Sequence, residues 1–151
     1  MSNLILLLHP VLGMLAILTA GWAFVETRHT EATNEKRIKC LSDATALLVW
    51  LTYIVGGYWY VVYFAADKAV ILKGPWPFSH TYFMETKEHY FFVLLLLATY
   101  LPIVARDDLT GKSPARHVAG WVSGLVVLLG LVMEGYGACI GMGVKLGALP
   151  H

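Results

Sequence analysis

The chain has 151 residues, of which 58% are hydrophobic and 14% are charged, and its formal net charge is +1. Soluble domains usually carry about 25% charged residues, so this composition excludes an ordinary soluble domain and indicates a protein embedded in lipid. No basic run lies away from the predicted helix ends, which excludes a nucleic-acid-binding protein.

Four apolar stretches are long enough to cross the hydrocarbon layer, which requires about 20 helical residues. We predict membrane spans at about 4–25, 42–66, 83–105 and 117–138. The chain is therefore predicted to be an all-α integral membrane protein, with residues 1–151 forming one four-helix bundle of up-down-up-down topology. The first stretch has neither a basic segment before it nor an evident cleavage site, so we expect a retained helix rather than a signal peptide.

The basic residues are distributed unevenly between the two sides of this predicted bundle. The segments after the first and third spans hold seven of the eleven lysines and arginines: Arg28, Lys36, Arg37, Lys39, Arg106, Lys112 and Arg116. The positive-inside rule therefore predicts that both termini are non-cytoplasmic. We expect a multi-pass protein of a bacterial inner membrane.

The first span contains a histidine, His9, which is followed directly by Pro10. We expect Pro10 to fall in or near the first helical turn, where its missing N–H has no helical acceptor. A histidine near a membrane edge often bonds a neighbouring carbonyl or reaches the headgroups. The small residues Gly13, Ala16 and Ala20 follow on one helix face, where they leave room for a cofactor or serve close helix packing.

The segment between the second and third spans is rich in aromatic residues, and we predict that it lies along the membrane interface with a turn at Gly74–Pro75. If its second half is helical, the spacing brings several metal-binding residue types to one face. As an alternative to haem, His80, Met84, Glu88 and His89 are then predicted to be ligands of a copper or zinc ion.

His89 in the third span is predicted to lie at the same membrane depth as His9. Each is five or six residues from the same predicted membrane edge, which places both rings roughly 8 Å deep. Because haem b with two histidine ligands needs one ring nitrogen on each side of the iron, we predict a haem b between His9 and His89. His29, just past the first span, and His117, at the start of the fourth, form a second predicted pair for a second haem.

Glu134 in the fourth span is a carboxylate within the predicted membrane, close to the level of His9 and His89. Ionisable residues there are costly and usually functional. We predict that Glu134 is catalytic, as the proton acceptor for a quinol whose electrons pass to the haem iron.

With its histidines placed in this way, the chain resembles the small bacterial four-helix membrane b-type cytochromes. It resembles more loosely the small four-helix proteins that assist the maturation of terminal oxidases. The first resemblance implies a haem b held by His9 and His89, with His117 and His29 as further ligands. It also implies Lys87 as a partner of the haem propionates, and a quinone or a redox subunit as electron-transfer partner.

Three functions remain open from the sequence. The first is haem b electron transfer with a quinol or a larger redox complex, in which the chain is a subunit of a membrane oxidoreductase or a homo-oligomer. The second is a non-catalytic accessory or assembly subunit of a larger membrane complex. The third is a copper- or zinc-handling membrane protein. A transporter is disfavoured because the spans show no pair of equivalent broken helices.

Overall fold

The computed structural model describes residues 2–29 and 34–149, and every regular element within them is helical. The four α-helices are α1 (Ser2–Arg28), α2 (Asn34–Lys73), α3 (Glu85–Ala105) and α4 (Pro114–Gly147), and a π-helical turn (Ser79–Met84) leads directly into α3. Four stretches are long and apolar enough to cross a membrane: Leu4–Arg28, Asn34–Lys73, Ser79–Ala105 and Pro114–Gly147. The predicted all-α fold with four candidate membrane helices is confirmed.

The second helix is much longer than the predicted span. It has 40 residues, which makes it about 60 Å long, roughly twice the thickness of the hydrocarbon layer. No glycine or proline occurs between Gly57 and Gly74, so nothing interrupts the helical hydrogen bonds where the apolar stretch ends. The predicted turn at Gly74–Pro75 is confirmed. The segment between the helices is shorter than the predicted span ends at about 66 and 83 imply, because only Gly74–Phe78 separate the helical segments.

Pro10 lies in the interior of α1, so the expectation that it occupies the first turn is wrong. The apolar residues before it extend the helix back to Ser2. Proline cannot donate a hydrogen bond to the carbonyl of Leu6, one turn earlier. Membrane helices tolerate such prolines because neighbouring groups satisfy the freed carbonyl.

The helices form a closed ring in which each helix packs against its two neighbours. Helix α1 packs against α2 and α4, and α3 packs against the other faces of α2 and α4, so α1 and α3 are diagonally opposite. From one end of the bundle to the other, hydrogen bonds join α1 and α2 at His9–Thr52, Thr19–Thr45 and Arg37–Glu26.

Small side chains form the middle of the core, while large apolar side chains face outward. Ala16, Ala20 and Ala98 are at most 3% exposed, so the helices approach one another closely at these residues. The predicted stripe of small residues on α1 therefore contributes to helix packing. Large apolar residues are exposed around the bundle, as expected for a surface that contacts lipid: Leu18, Val61, Leu96 and Trp121.

Each end of the bundle is closed by a specific contact. At the end that contains the α1 N-terminus, the backbones of α2 and α4 touch, and a Cβ atom at Gly147 would lie 2.6 Å from the carbonyl oxygen of Val70. At the opposite end Arg116 is buried, and its Nε donates to the carbonyl oxygen of Leu109 at 2.6 Å. Arg116 also donates through Nη1 to the carbonyl oxygen of His29, which fixes the end of α1 against α4.

Candidate functional site

Three ionisable side chains from three helices line one small cavity among the candidate membrane spans. They are His9 of α1, Lys87 of α3 and Glu134 of α4; Thr52 of α2 also lines the cavity, and the rest of the wall is mostly apolar. The cavity has a volume of about 30 Å³, which is enough for one or two water molecules. All four helices therefore contribute a polar side chain to this cavity.

Two of these side chains lie against glycines of a neighbouring helix. A Cβ atom at Gly56 would lie 2.5 Å from two ring atoms of His9. A Cβ atom at Gly13 would overlap the Oε1 atom of Glu134. The absence of a side chain at both glycines is therefore what makes room for the imidazole and the carboxylate.

Lys87 is accommodated in the same way and balances the charge of Glu134. Its Nζ lies where a Cβ atom at Gly137 would be only 3.2 Å away. Lys87 is close enough to interact electrostatically with both Glu134 and His9. Because a lone charge in a membrane is costly, the opposite charges of Lys87 and Glu134 stabilise each other there.

The orientation of the His9 ring is fixed by one hydrogen bond. Nδ1 of His9 lies 3.0 Å from the carbonyl oxygen of Thr52. A carbonyl only accepts, so Nδ1 carries the proton and donates, and in the neutral ring Nε2 remains as an acceptor. The site thus combines the ammonium group of Lys87 as a donor, the carboxylate of Glu134 as an acceptor, and the imidazole of His9, whose Nε2 accepts or donates. Groups of these kinds can transfer protons through a bridging water.

His89 does not line this cavity. It follows Lys87 by two residues, which places the two side chains about 200° apart around the helix axis. The His89 ring is exposed, and its Nδ1 donates to the carbonyl oxygen of Glu85 in the same helix at 2.6 Å. Helices α1 and α3 are also diagonal in the bundle.

A porphyrin between His9 and His89 does not fit this arrangement within one copy of the chain. The cavity beside His9 holds about 30 Å³, which suits water but not a tetrapyrrole. Nδ1 of His9 and Nδ1 of His89 are each held by a backbone carbonyl, which leaves Nε2 available in both rings, but only His9 lines the cavity. Haem b with these two ligands stays a prediction from the sequence.

The second predicted pair lies at the opposite end of the bundle. His117 is exposed, and its Nδ1 donates to the carbonyl oxygen of Ser113 at 2.9 Å. His29 is exposed just beyond α1, and its carbonyl oxygen accepts from Arg116, the residue before His117. The structure brings these two histidines to the same end, and a second haem there stays a prediction.

The alternative metal cluster is divided between the core and the surface. His80 is buried with its ring 5.7 Å from that of Phe64, and Met84 is buried in the same apolar cluster. Glu88 is half-buried, and His89 is exposed. Within residues 2–29 and 34–149 no three His, Cys, Asp or Glu side chains converge as a metal site. Copper or zinc binding stays a prediction.

The pairing of Lys87 with Glu134 and His9 was not predicted from the sequence, because Lys87 was assigned to haem propionates. Two signals in the sequence point to this pairing. Lys87 and His89 are two residues apart on one α-helix, so their side chains cannot both face the core of the bundle. Glycines also occur close to two of the three ionisable residues, with Gly13 four residues after His9 and Gly137 three residues after Glu134.

Comparison with protein-family models, with curated proteins and with solved structures found no match to this chain. A four-helix bundle by itself hosts many unrelated functions. Function is therefore inferred from the residues that line the cavity.

Proposed function

We propose that this chain is a membrane electron-transfer protein or subunit that exchanges electrons with a quinol, and that the His9–Lys87–Glu134 cluster receives the protons. One observation carries the proposal: three ionisable side chains from three helices converge on a cavity the size of one or two waters. Ionisable residues within membrane helices are costly, and they typically belong to proton or substrate pathways.

The cluster suits the proton side of quinol oxidation. Conversion of a quinol to a quinone releases protons together with electrons, and the protons need an acceptor close to the reacting hydroxyl groups. Glu134 is the proposed acceptor, and Nε2 of His9 is a second acceptor on the same cavity. The positive charge of Lys87, on the same cavity, attracts the ionised carboxylate. The electrons pass to a redox centre of the same complex.

The cluster lies near the start of α1 but not near the ends of the other helices. His9 lies seven residues after Ser2, the first helical residue, which is about 10 Å along the axis of α1. Thr52 lies 21 residues before the end of α2 and Glu134 lies 13 residues before the end of α4, so both helices extend past the cluster. In the proposed orientation, protons leave the cluster toward the end of the bundle that contains the α1 N-terminus.

The bundle also has a proposed orientation in the membrane. We place the chain in a bacterial inner membrane, up-down-up-down, with both termini and the cluster near the non-cytoplasmic face. The support is the distribution of basic residues, because the end opposite the cluster carries all four arginines and the ion pairs Arg37–Glu26 and Arg106–Asp43. Quinol oxidation at the cluster then releases protons outside the cytoplasm.

The test is the rate of quinol oxidation by membranes of a strain that lacks the chain and is complemented with wild type or Glu134→Gln. Glutamine keeps the size of the side chain but cannot accept the proton, so we expect a loss of about 100-fold or more. The matched control is Glu85→Gln, since Glu85 is exposed on α3 and outside the cavity, and we expect the wild-type rate. A wild-type rate in Glu134→Gln, at equal protein in the membrane, refutes the proposal.

A further inference from the structure

A second and larger cavity lies at the opposite end of the bundle, where the end of α1 meets the start of α4. Its volume is about 380 Å³, which is in the range of sites for small molecules. Its wall combines polar and apolar surface and includes three basic side chains; the residues that line it are Thr27, Arg28, Lys112, Arg116, His117, Gly120 and Trp121. The role proposed for the His9–Lys87–Glu134 cluster makes no use of this cavity.

Arg116 is the buried basic residue of this cavity. Its guanidinium is held by hydrogen bonds, and one of its nitrogens has no acceptor in the described part of the chain. The residue is only 2% exposed. Nε and Nη1 donate to the carbonyl oxygens of Leu109, Glu26 and His29. Nη2 is buried and has no acceptor among residues 2–29 and 34–149. Because Arg116 lines the cavity, an anion there would interact favourably with its buried charge.

The cavity also has an excess of positive charge. Arg28 and Lys112 are exposed side chains on its wall and add two cations to Arg116. The guanidinium of Arg28 is held over the ring of Phe24, 4.7 Å from its centroid. Three cations around one concave surface attract an anion.

The nearest buried acid is already paired and does not neutralise these cations. The Oε1 atom of Glu26 accepts hydrogen bonds from Nη1 of Arg37 at 3.0 Å and from Nε1 of Trp22 at 2.9 Å. Arg37 is not one of the residues that line the cavity. The positive charge of the cavity is therefore available to a ligand.

The surroundings of the cavity are those of a membrane surface. Trp121 is 73% exposed and follows His117 by about one helical turn, and Val118 beside it is exposed as well. Tryptophan at a helix end is typical of the headgroup region. Helix α4 begins at Pro114, so the positive end of its dipole is at this level. A ligand in the cavity thus has an apolar surface next to its charged group.

From these contacts we infer that the cavity binds the phosphate-bearing headgroup of an anionic phospholipid. The phosphate pairs with Arg28 and Lys112 and is attracted by the buried charge of Arg116, while the acyl chains lie along the exposed apolar face of α4 near Trp121. Basic pockets between membrane helices on the cytoplasmic side are known to suit such headgroups. A free phosphate shares the charge but gains nothing from the apolar face.

The test is native mass spectrometry of the full chain in detergent, titrated with phosphatidylglycerol and with phosphatidylcholine of the same acyl chains. We expect phosphatidylglycerol to bind at least about tenfold more tightly than phosphatidylcholine, since each favourable basic contact at a membrane surface contributes severalfold. The double variant Arg28→Gln/Lys112→Gln removes two exposed cations without touching buried Arg116, and we expect it to lose most of this preference.

The matched control removes two cations from the same end of the bundle but outside the cavity, as Lys36→Gln/Lys39→Gln, and we expect the wild-type preference. Equal affinity for the two lipids, or equal losses in the two double variants, would overturn the inference. Displacement of phosphatidylglycerol by millimolar inorganic phosphate would also overturn it, because the cavity would then bind a soluble anion. None of these outcomes depends on quinol oxidation at the cluster.

Discussion

Single residues determine whether this bundle has room for ionisable groups. Gly13, Gly56 and Gly137 lie where any side chain would meet Glu134, His9 and Lys87. A glycine inside a helix costs about 1 kcal/mol relative to alanine, so its presence needs a reason other than helix formation. Here the reason is space for a polar side chain from the neighbouring helix.

The adjacent glycines of α2 offer a matched test of this role. We expect Gly56→Ala to destabilise the protein by about 1–3 kcal/mol, because the new Cβ meets the His9 ring, which its hydrogen bond to Thr52 holds in place. Gly57 has no heavy atom within 4 Å of an added Cβ, so Gly57→Ala should be neutral or slightly stabilising. Thermal unfolding in detergent measures both. Equal effects of the two substitutions would show that the His9 contact does not limit the space.

At the scale of the helices, the rotation of α3 about its axis determines whether Lys87 or His89 faces the core of the bundle. Lys87 lines the cavity, while His89 bonds within its own helix and is exposed. A haem shared by His9 and His89 within one chain would require α3 to rotate by about half a turn. Such a rotation would take Lys87 away from Glu134.

The absorption spectrum of the purified protein, oxidised and dithionite-reduced, tests this orientation of α3. We expect His89→Ala to have the same spectrum as wild type, because the His89 ring does not reach the cavity. A Soret band in wild type that disappears in both His9→Ala and His89→Ala would contradict this orientation and support the predicted haem b. If the wild-type protein has no Soret band, the predicted haem b is excluded, while the proposed proton site is not affected.

The helices were predictable from the sequence, but their ends and their rotation were not. Apolar runs of about 20 residues identify membrane helices because the bilayer has a fixed thickness. Hydropathy does not report where a helix stops beyond the membrane, so the extension of α2 to Lys73 could not be predicted from it. Glu134 was predicted to lie at the level of His9, and both residues line one cavity. Lys87 was assigned elsewhere, because the rotation of α3 depends on packing against α2 and α4.

Across the whole molecule, the two ends of the bundle carry different chemistry. The end with the α1 N-terminus holds the His9–Lys87–Glu134 cluster in a cavity of about 30 Å³. The other end holds a basic cavity of about 380 Å³ next to the ion pairs of the helix ends. In the proposed orientation, protons are released at the non-cytoplasmic face and lipid is bound at the cytoplasmic face.

The most direct test of the proposed function is whether Lys87 and Glu134 act as one unit in quinol oxidation. In complemented membranes, we expect Lys87→Met and Glu134→Gln each to lower the rate. Groups that act together are not additive, so the double variant should match Glu134→Gln to within about twofold. If the double variant instead loses activity by the product of the two single losses, or if neither single variant is slower than wild type, the cluster is not the proton site.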